Sequence, residues 1–121
     1  MTRTSHKTGH KTGLNAEALC RLALRLKFYR IVATRYKTPM GEIDIVAARG
    51  RTLVAVEVKA RPTHADAAES VSMNQRTRIA RALEDFVMRH PHYARYILRF
   101  DVMLAAPKRW PLHLTNAWRA E

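Results

Sequence analysis

The stretch Gly41 to Arg61, GEIDIVAARGRTLVAVEVKAR, constrains this chain more than any other. It reads as two β-strands joined by a tight turn. The runs Glu42 to Ala48 and Thr52 to Lys59 are rich in Ile and Val and are interrupted only by Arg49, Gly50 and Arg51, a hairpin pattern. With Gly50 and Arg51 as loop residues, glycine falls where a type II′ turn requires positive φ. Arg49 then faces Thr52, and counting back along both strands sets Asp44 opposite Glu57 and Glu42 opposite Lys59. Side chains alternate along a strand, so these four polar residues share one face with Val46, Ala48, Leu53 and Ala55. The other face carries Ile43, Ile45, Ala47, Val54, Val56 and Val58 and is wholly apolar. A three-residue loop would shift the pairing by one and undo the opposition.

Directly opposed like charges destabilise an antiparallel pair, and a buried carboxylate is costly without a partner or a metal. Two readings of Asp44 opposite Glu57 compete. In one, the pair holds a hard divalent cation, since Mg²⁺ is usually bound by one or two carboxylates while keeping waters that a substrate can displace. Lys59 would then orient an attacking water or stabilise negative charge developing on a phosphate. In the other, the strand face is solvated and Glu42 pairs with Lys59, a surface bridge worth about 1 kcal/mol or less. The second reading leaves Asp44 against Glu57 unexplained.

GEID followed at a distance by VEVKAR resembles the YraN-like family of small endonuclease-like proteins. That family is similar in turn to the archaeal Holliday junction resolvases and to the PD-(D/E)XK nucleases. The resemblance runs from Gly13 to Trp118. It includes Gly13 with Ala16 and Glu17, Arg99-Phe100-Asp101, and Asn116-Ala117-Trp118. It implies a restriction-endonuclease-like α/β fold, a mixed sheet of about five strands flanked by helices in the order α-β-β-β-α-β-β. It also implies phosphodiester hydrolysis with Mg²⁺ or Mn²⁺. Asp44 matches the first acid of the nuclease pattern, and Glu57 and Lys59 match its E-x-K triplet. Glu42 would assist, and Glu17 joins the candidates because a first-helix glutamate of the related resolvases looks toward the metal. Branched DNA as substrate and a two-fold homodimer follow from the resemblance alone. Where this family usually carries a lysine, the chain has Gln75, which puts a second cation beside Lys59 in doubt.

At 121 residues the chain has room for a single core. The expected division is a basic tail, 1–13, lacking any large apolar residue after Met1, and one domain, 14–121. Twenty-two Lys and Arg against ten Asp and Glu leave a net charge of +12, which points to a polyanionic partner, because neutralised phosphates release condensed counterions. Nucleic acid, with DNA the expected kind, fits better than a membrane, since no apolar run approaches spanning length and no basic amphipathic segment shows an interfacial pattern. Cys20 is the single cysteine, and the N-terminus lacks a signal-peptide core, so the expected compartment is the cytoplasm. The repeat His6-Lys7-Thr8-Gly9, His10-Lys11-Thr12-Gly13 reads as a basic arm rather than a metal site.

Along the chain, Asn15 caps a helix whose apolar stripe is Ala18, Leu19, Leu22, Ala23 and Leu26. From spacing alone Glu17, in its first turn, is structural: it interacts favourably with the helix dipole and can pair with Arg21 one turn on. Tyr29 to Tyr36 is the first strand, with Ile31 and Ala33 on one face and Val32 and Thr34 on the other. Arg35 and Lys37 follow it toward the acidic end. After a long loop, Ser72 and Gln75 form a capping-box pattern, and a helix runs to about His90, burying Ile79, Leu83, Phe86 and Val87. Gln75 lies one turn before Ile79 and should point at the sheet. Tyr96 to Ala105 is a strand with Leu98, Phe100, Val102 and Leu104 on one face and Ile97, Arg99, Asp101 and Met103 on the other. A strand-helix-strand order makes it parallel to the Glu57 strand. Leu112 to Trp118 is an edge strand, and its His113 reads as an exposed or packed histidine.

The expected function is metal-dependent nucleic-acid hydrolysis. Asp44 and Glu57 are the metal ligands. Lys37, Arg61, Arg76 and Arg78 are candidates for phosphate contact, with Gln75 and Asp101 in support, although a bridge to a nearby arginine is the favoured reading of Asp101. Two alternatives stand beside it: a nucleic-acid-binding protein that keeps the nuclease-like fold without cutting, and a basic structural partner whose acidic cluster is a salt-bridged strand face.

Overall fold

The computed structural model describes residues 16–60 and 71–119 of the chain. Helix α1 covers residues 16–26, followed by β1 (Arg30–Lys37), β2 (Glu42–Arg49) and β3 (Thr52–Ala60). Helix α2 (Met73–Arg89), a 3₁₀ turn (Pro91–Tyr93), β4 (Ile97–Ala105) and β5 (Leu112–Trp118) complete it. The strands form one mixed sheet in the order β1-β2-β3-β4-β5. All neighbours are antiparallel except β3 and β4, which are parallel because α2 lies between them in the chain. The element order α-β-β-β-α-β-β is the one the resemblance implied. The tail 1–13, Arg61 and most of the long loop before α2 lie outside the described residues.

The hairpin is built as its turn chemistry dictates. Gly50 takes φ +60° with open space where a Cβ would stand, and Arg49 pairs with Thr52. The ladder runs to Ile45 opposite Val56. Beyond it the strands part, and the Val58 N–H is satisfied by the Asp44 carboxylate at 2.8 Å instead of by a backbone carbonyl. Strict alternation fails at the same place: Ile43 joins the core layer under α2 with Val46 and Ala48, while Ile45 and Ala47 lie under α1. Placing Ile43 with Ile45 is therefore corrected. The expected pairing of Glu42 with Lys59 is absent too; Glu42 pairs with Lys37 of β1 instead.

Two layers cover the sheet. On one side α2 buries Ile79, Ala82, Leu83 and Phe86 against Leu53, Ala55, Phe100, Val102 and Trp118. On the other, Cys20, Ala23 and Leu24 of α1, with Tyr29, pack on Ile45, Val54, Val56 and Met103. The buried stripe of α1 is thus rotated from the expected one, leaving Leu22, Leu26 and Phe28 exposed. Small residues at 16, 20 and 23 bring the helix against the sheet, and Tyr29 fixes its rotation. The helix ends with Phe28 N–H on the Arg25 carbonyl and Tyr29 N–H on the Leu24 carbonyl, the Schellman pattern, which places Phe28 at φ +70° where glycine is usual. In β1 a bulge between Ile31 and Ala33 moves Ala33 to the α2 side with Val32, against the simple alternation expected for this strand.

Candidate metal centre and the surfaces beside it

Asp44 and Glu57 stand where β2 and β3 separate. Glu57 is buried, 7% exposed, and Asp44 half-buried. Gln75, on the first turn of α2, donates to the Glu57 Oε2 at 2.8 Å. Lys59 donates to the Gln75 Oε1 at 3.3 Å and lies 3.5 Å from the Glu57 Oε2. The capping box expected of Ser72 and Gln75 is therefore only half formed. Ser72 Oγ accepts the Gln75 N–H at 3.1 Å, while the Gln75 side chain turns to the sheet. Gly41 makes this approach feasible, since a Cβ there would stand 2.9 Å from the Arg78 Cβ.

Burial pushes the Glu57 carboxyl up to about 7, the negative charge of Asp44 adds to this, and Lys59 and Gln75 oppose it. Burial also raises Asp44; the Val58 N–H works against this, and the charges of Glu17 and Glu42 work with it. Glu17 on α1 and Glu42 at the start of β2 thus lie close enough for their charges to act on Asp44. Glu17 is bridged at 3.3 Å by Arg35, which takes φ +50°. Sequence reasoning gave Arg35 no role beyond a strand-edge charge. A left-handed arginine within a β run has no signal in composition or alternation. Cys20 lies behind the cluster, and burial, helped by Glu17 and Asp44, pushes its thiol up to about 12, which makes it an inert core residue.

The donor set fits a hard divalent cation. Two adjacent, partly desolvated carboxylates, one with no cation of its own, are the kind of oxygen ligands Mg²⁺ takes. Among the described residues no three Asp, Glu, His or Cys side chains close into a finished cage, so a cation held by this pair would draw its other ligands from outside the described side chains.

Of the other candidates, Lys37 at the end of β1 and Arg78 on α2 are exposed near the acidic end, while Arg76 points along the opposite flank of α2 toward Trp118. Asp101 is not brought to the acidic cluster; it faces the α1 side. It is wholly buried, accepts from Arg99 Nε at 2.9 Å and Nη2 at 2.8 Å, lies 2.6 Å from His113 Nε2, and accepts the Asn116 N–H at 2.9 Å. Burial alone would raise its carboxyl, but His113, Arg99 and the Asn116 N–H outweigh it and hold the group below the usual carboxylate range. His113 is a packed member of this network. No helix among the described residues is long and apolar enough to cross a membrane.

Residues 16–105 match the family described as "Uncharacterised protein family UPF0102". A UPF0102 protein of Parvibaculum lavamentivorans is 54% identical over 110 residues, covering 91% of this chain and 83% of its own length. One of Chelativorans sp. is 47% identical over 118 residues, covering 98% and 95%, and one of Rhodopseudomonas palustris is 45% identical over 126 residues, covering 99% and 98%. With the hairpin, its E-x-K triplet and the order of its elements accounted for, the chain belongs to UPF0102, the YraN-like group.

Proposed function

We propose that this chain is a divalent-metal-dependent nuclease that hydrolyses nucleic-acid phosphodiesters, with branched DNA as its substrate class. The observation that carries the reading is the Asp44 and Glu57 pair, two desolvated carboxyls both held above their ordinary range at the parting of β2 and β3. A folded protein tolerates such a pair at a cost in stability, and clusters of this kind concentrate at functional sites.

Asp44 and Glu57 are the ligands for Mg²⁺ or Mn²⁺. Bound there, the ion would supply Lewis acidity for the phosphate and an acidified water. The chain's own residues do the remaining work. Lys59, tethered through Gln75 and Glu57, has one N–H donor left to orient the attacking water or to meet charge developing on the phosphate. Gln75 fixes Lys59 relative to Glu57. Glu42, exposed at the mouth, and Glu17, steered by Arg35, raise the negative potential that draws a cation in. Lys37 and Arg78 flank this end of the sheet and hold the phosphates on either side of the cut, a positioning role that carries no sequence preference. The two-fold homodimer belongs to the same reading, matching a branched substrate with two equivalent strands to cut.

Cleavage of labelled four-way junction, flap, single-stranded and linear duplex DNA, with parallel RNA substrates, tests the reading in Mg²⁺, Mn²⁺ or EDTA. Metal-dependent cutting that falls at least 100-fold in Glu57→Ala is expected. Tight binding with no metal-dependent cutting in the wild type would instead assign a nucleic-acid-binding protein on a nuclease-like fold.

A further inference from the structure

Two sequence triplets remain outside the acidic site, Arg99-Phe100-Asp101 on β4 and Asn116-Ala117-Trp118 on β5. They meet across the sheet. On the α1 side, Asp101, held by Arg99, accepts the Asn116 N–H at 2.9 Å, within the irregular β4–β5 pairing where Asn116 takes φ +53°. On the α2 side, Phe100, Asn116 and Trp118 line a concave surface between β5 and α2. One hollow, about 450 Å³, is bordered by Arg76, Thr77, Arg81, Trp118 and Arg119. A second, about 220 Å³, continues from it over Leu98, Phe100 and Asn116, and Glu84 borders both.

The chemistry of the two hollows differs. The larger is edged by three guanidinium groups, and Arg76 lies 5.7 Å over the Trp118 ring. Trp118 itself is 5% exposed, and its indole N–H, a donor only, meets no acceptor among the described residues. The smaller hollow is apolar on its floor and offers an amide from Asn116 and a carboxylate from Glu84, groups that read the edges of bases. The Trp118 ring is stacked with Phe100 at 5.3 Å, has the Arg76 guanidinium 5.7 Å from its centroid, and is only 5% exposed. A base would therefore enter beside the indole rather than stack on it. A base paired in a duplex has no way into such a hollow.

We infer that the groove between α2 and β5 binds an unpaired segment of nucleic acid. Its phosphates lie on Arg76, Arg81 and Arg119, and one base sits in the hollow over Phe100 between Asn116 and Glu84. This rests on nucleic acid being the partner and extends that reading, because the groove starts at the turn of α2 that also carries Gln75 to Glu57. A strand leaving the acidic site follows α2 into the groove.

The test is fluorescence anisotropy of a labelled 15-nucleotide single strand and of the blunt duplex of the same sequence, in EDTA so that nothing is cut. The groove pair Arg81→Ala with Arg119→Ala is compared with the equally exposed control pair Arg25→Ala with Arg95→Ala. The groove pair should weaken single-strand binding at least 10-fold and the duplex less than 3-fold. It should also lower the salt slope by about 1.4, on the basis of roughly 0.7 per phosphate contact on a single strand. In a Trp110→Phe background Trp118 is the only tryptophan, and its emission should change on saturation with the single strand. A loss no greater than that of the control pair, an equal loss for the duplex, or unchanged Trp118 emission would each overturn the inference. The outcome separates from that of the nuclease reading: groove-dependent binding by a chain that never cuts would sink the nuclease and keep the groove, while metal-dependent cutting untouched by the groove pair's loss would do the reverse.

Discussion

Glu57 carries a cost that the rest of the site makes intelligible. Its carboxyl is held near 7 by burial and by Asp44, above its unfolded value of about 4.3. A carboxyl raised in this way stabilises the folded state fully below the unfolded pKa, and that contribution is lost as pH rises through the folded pKa. Unfolding free energy in EDTA is therefore expected to fall between about pH 4.5 and 7.5, and Glu57→Gln should flatten this slope. At pH 8 the variant should be more stable than wild type by roughly 1–3 kcal/mol. Denaturant melts across that range check it; a variant less stable than wild type at pH 8 would mean that the Lys59 and Gln75 contacts outweigh the buried charge. The types and order of Asp44, Glu57 and Lys59 were legible from sequence because E-x-K and the hairpin register are local. The roles of Gln75 and Arg35 were not. One depends on how far a helix turns toward the sheet, the other on a left-handed residue in a strand.

Among the elements, α2 decides how the site is assembled, since its first turn brings Gln75 to Glu57 and its flank walls the groove. Its seat is set by Gly41, where a Cβ would stand 2.9 Å from the Arg78 Cβ and 3.1 Å from the Arg78 carbonyl oxygen. Backbone on one side cannot yield as a side-chain tip can. Gly41→Ala is expected to cost about 1–3 kcal/mol, the usual cost of overpacking, and to shift α2 enough to loosen Gln75 from Glu57. Thermal melts, with a separate Gly50→Ala variant as a comparison of pure φ strain, would check it. A melting temperature equal to wild type would show that α2 does not rest on Gly41. Strand positions, pairing partners and the start and end of α2 were legible because alternation, turn residues and Ser72 are local signals. The rotation of α1 was not: its leucines mark an apolar stripe, yet Cys20, Ala23 and Leu24 face the sheet because small residues allow closer contact and Tyr29 locks the helix end. Nor could alternation show the bulge in β1 or the break at Asp44, where an aspartate side chain replaces a ladder hydrogen bond.

For the whole molecule, a net charge of +12 surrounds a small, strongly acidic centre. That excess of positive charge would attract a polyanion, while Asp44 and Glu57, with the charges of Glu17 and Glu42 acting on Asp44, would attract a cation. On this reading Asp44 and Glu57 bind a divalent cation. Titration calorimetry with Mn²⁺ at pH 7, repeated in two buffers of different ionisation enthalpy, is the decisive measurement. Saturable binding to one site per chain is expected, with release of about half a proton as Glu57, held near 7, gives up its hydrogen, and affinity should fall at least 10-fold in Asp44→Asn. Binding with no proton release, or unchanged in Asp44→Asn, would contradict it.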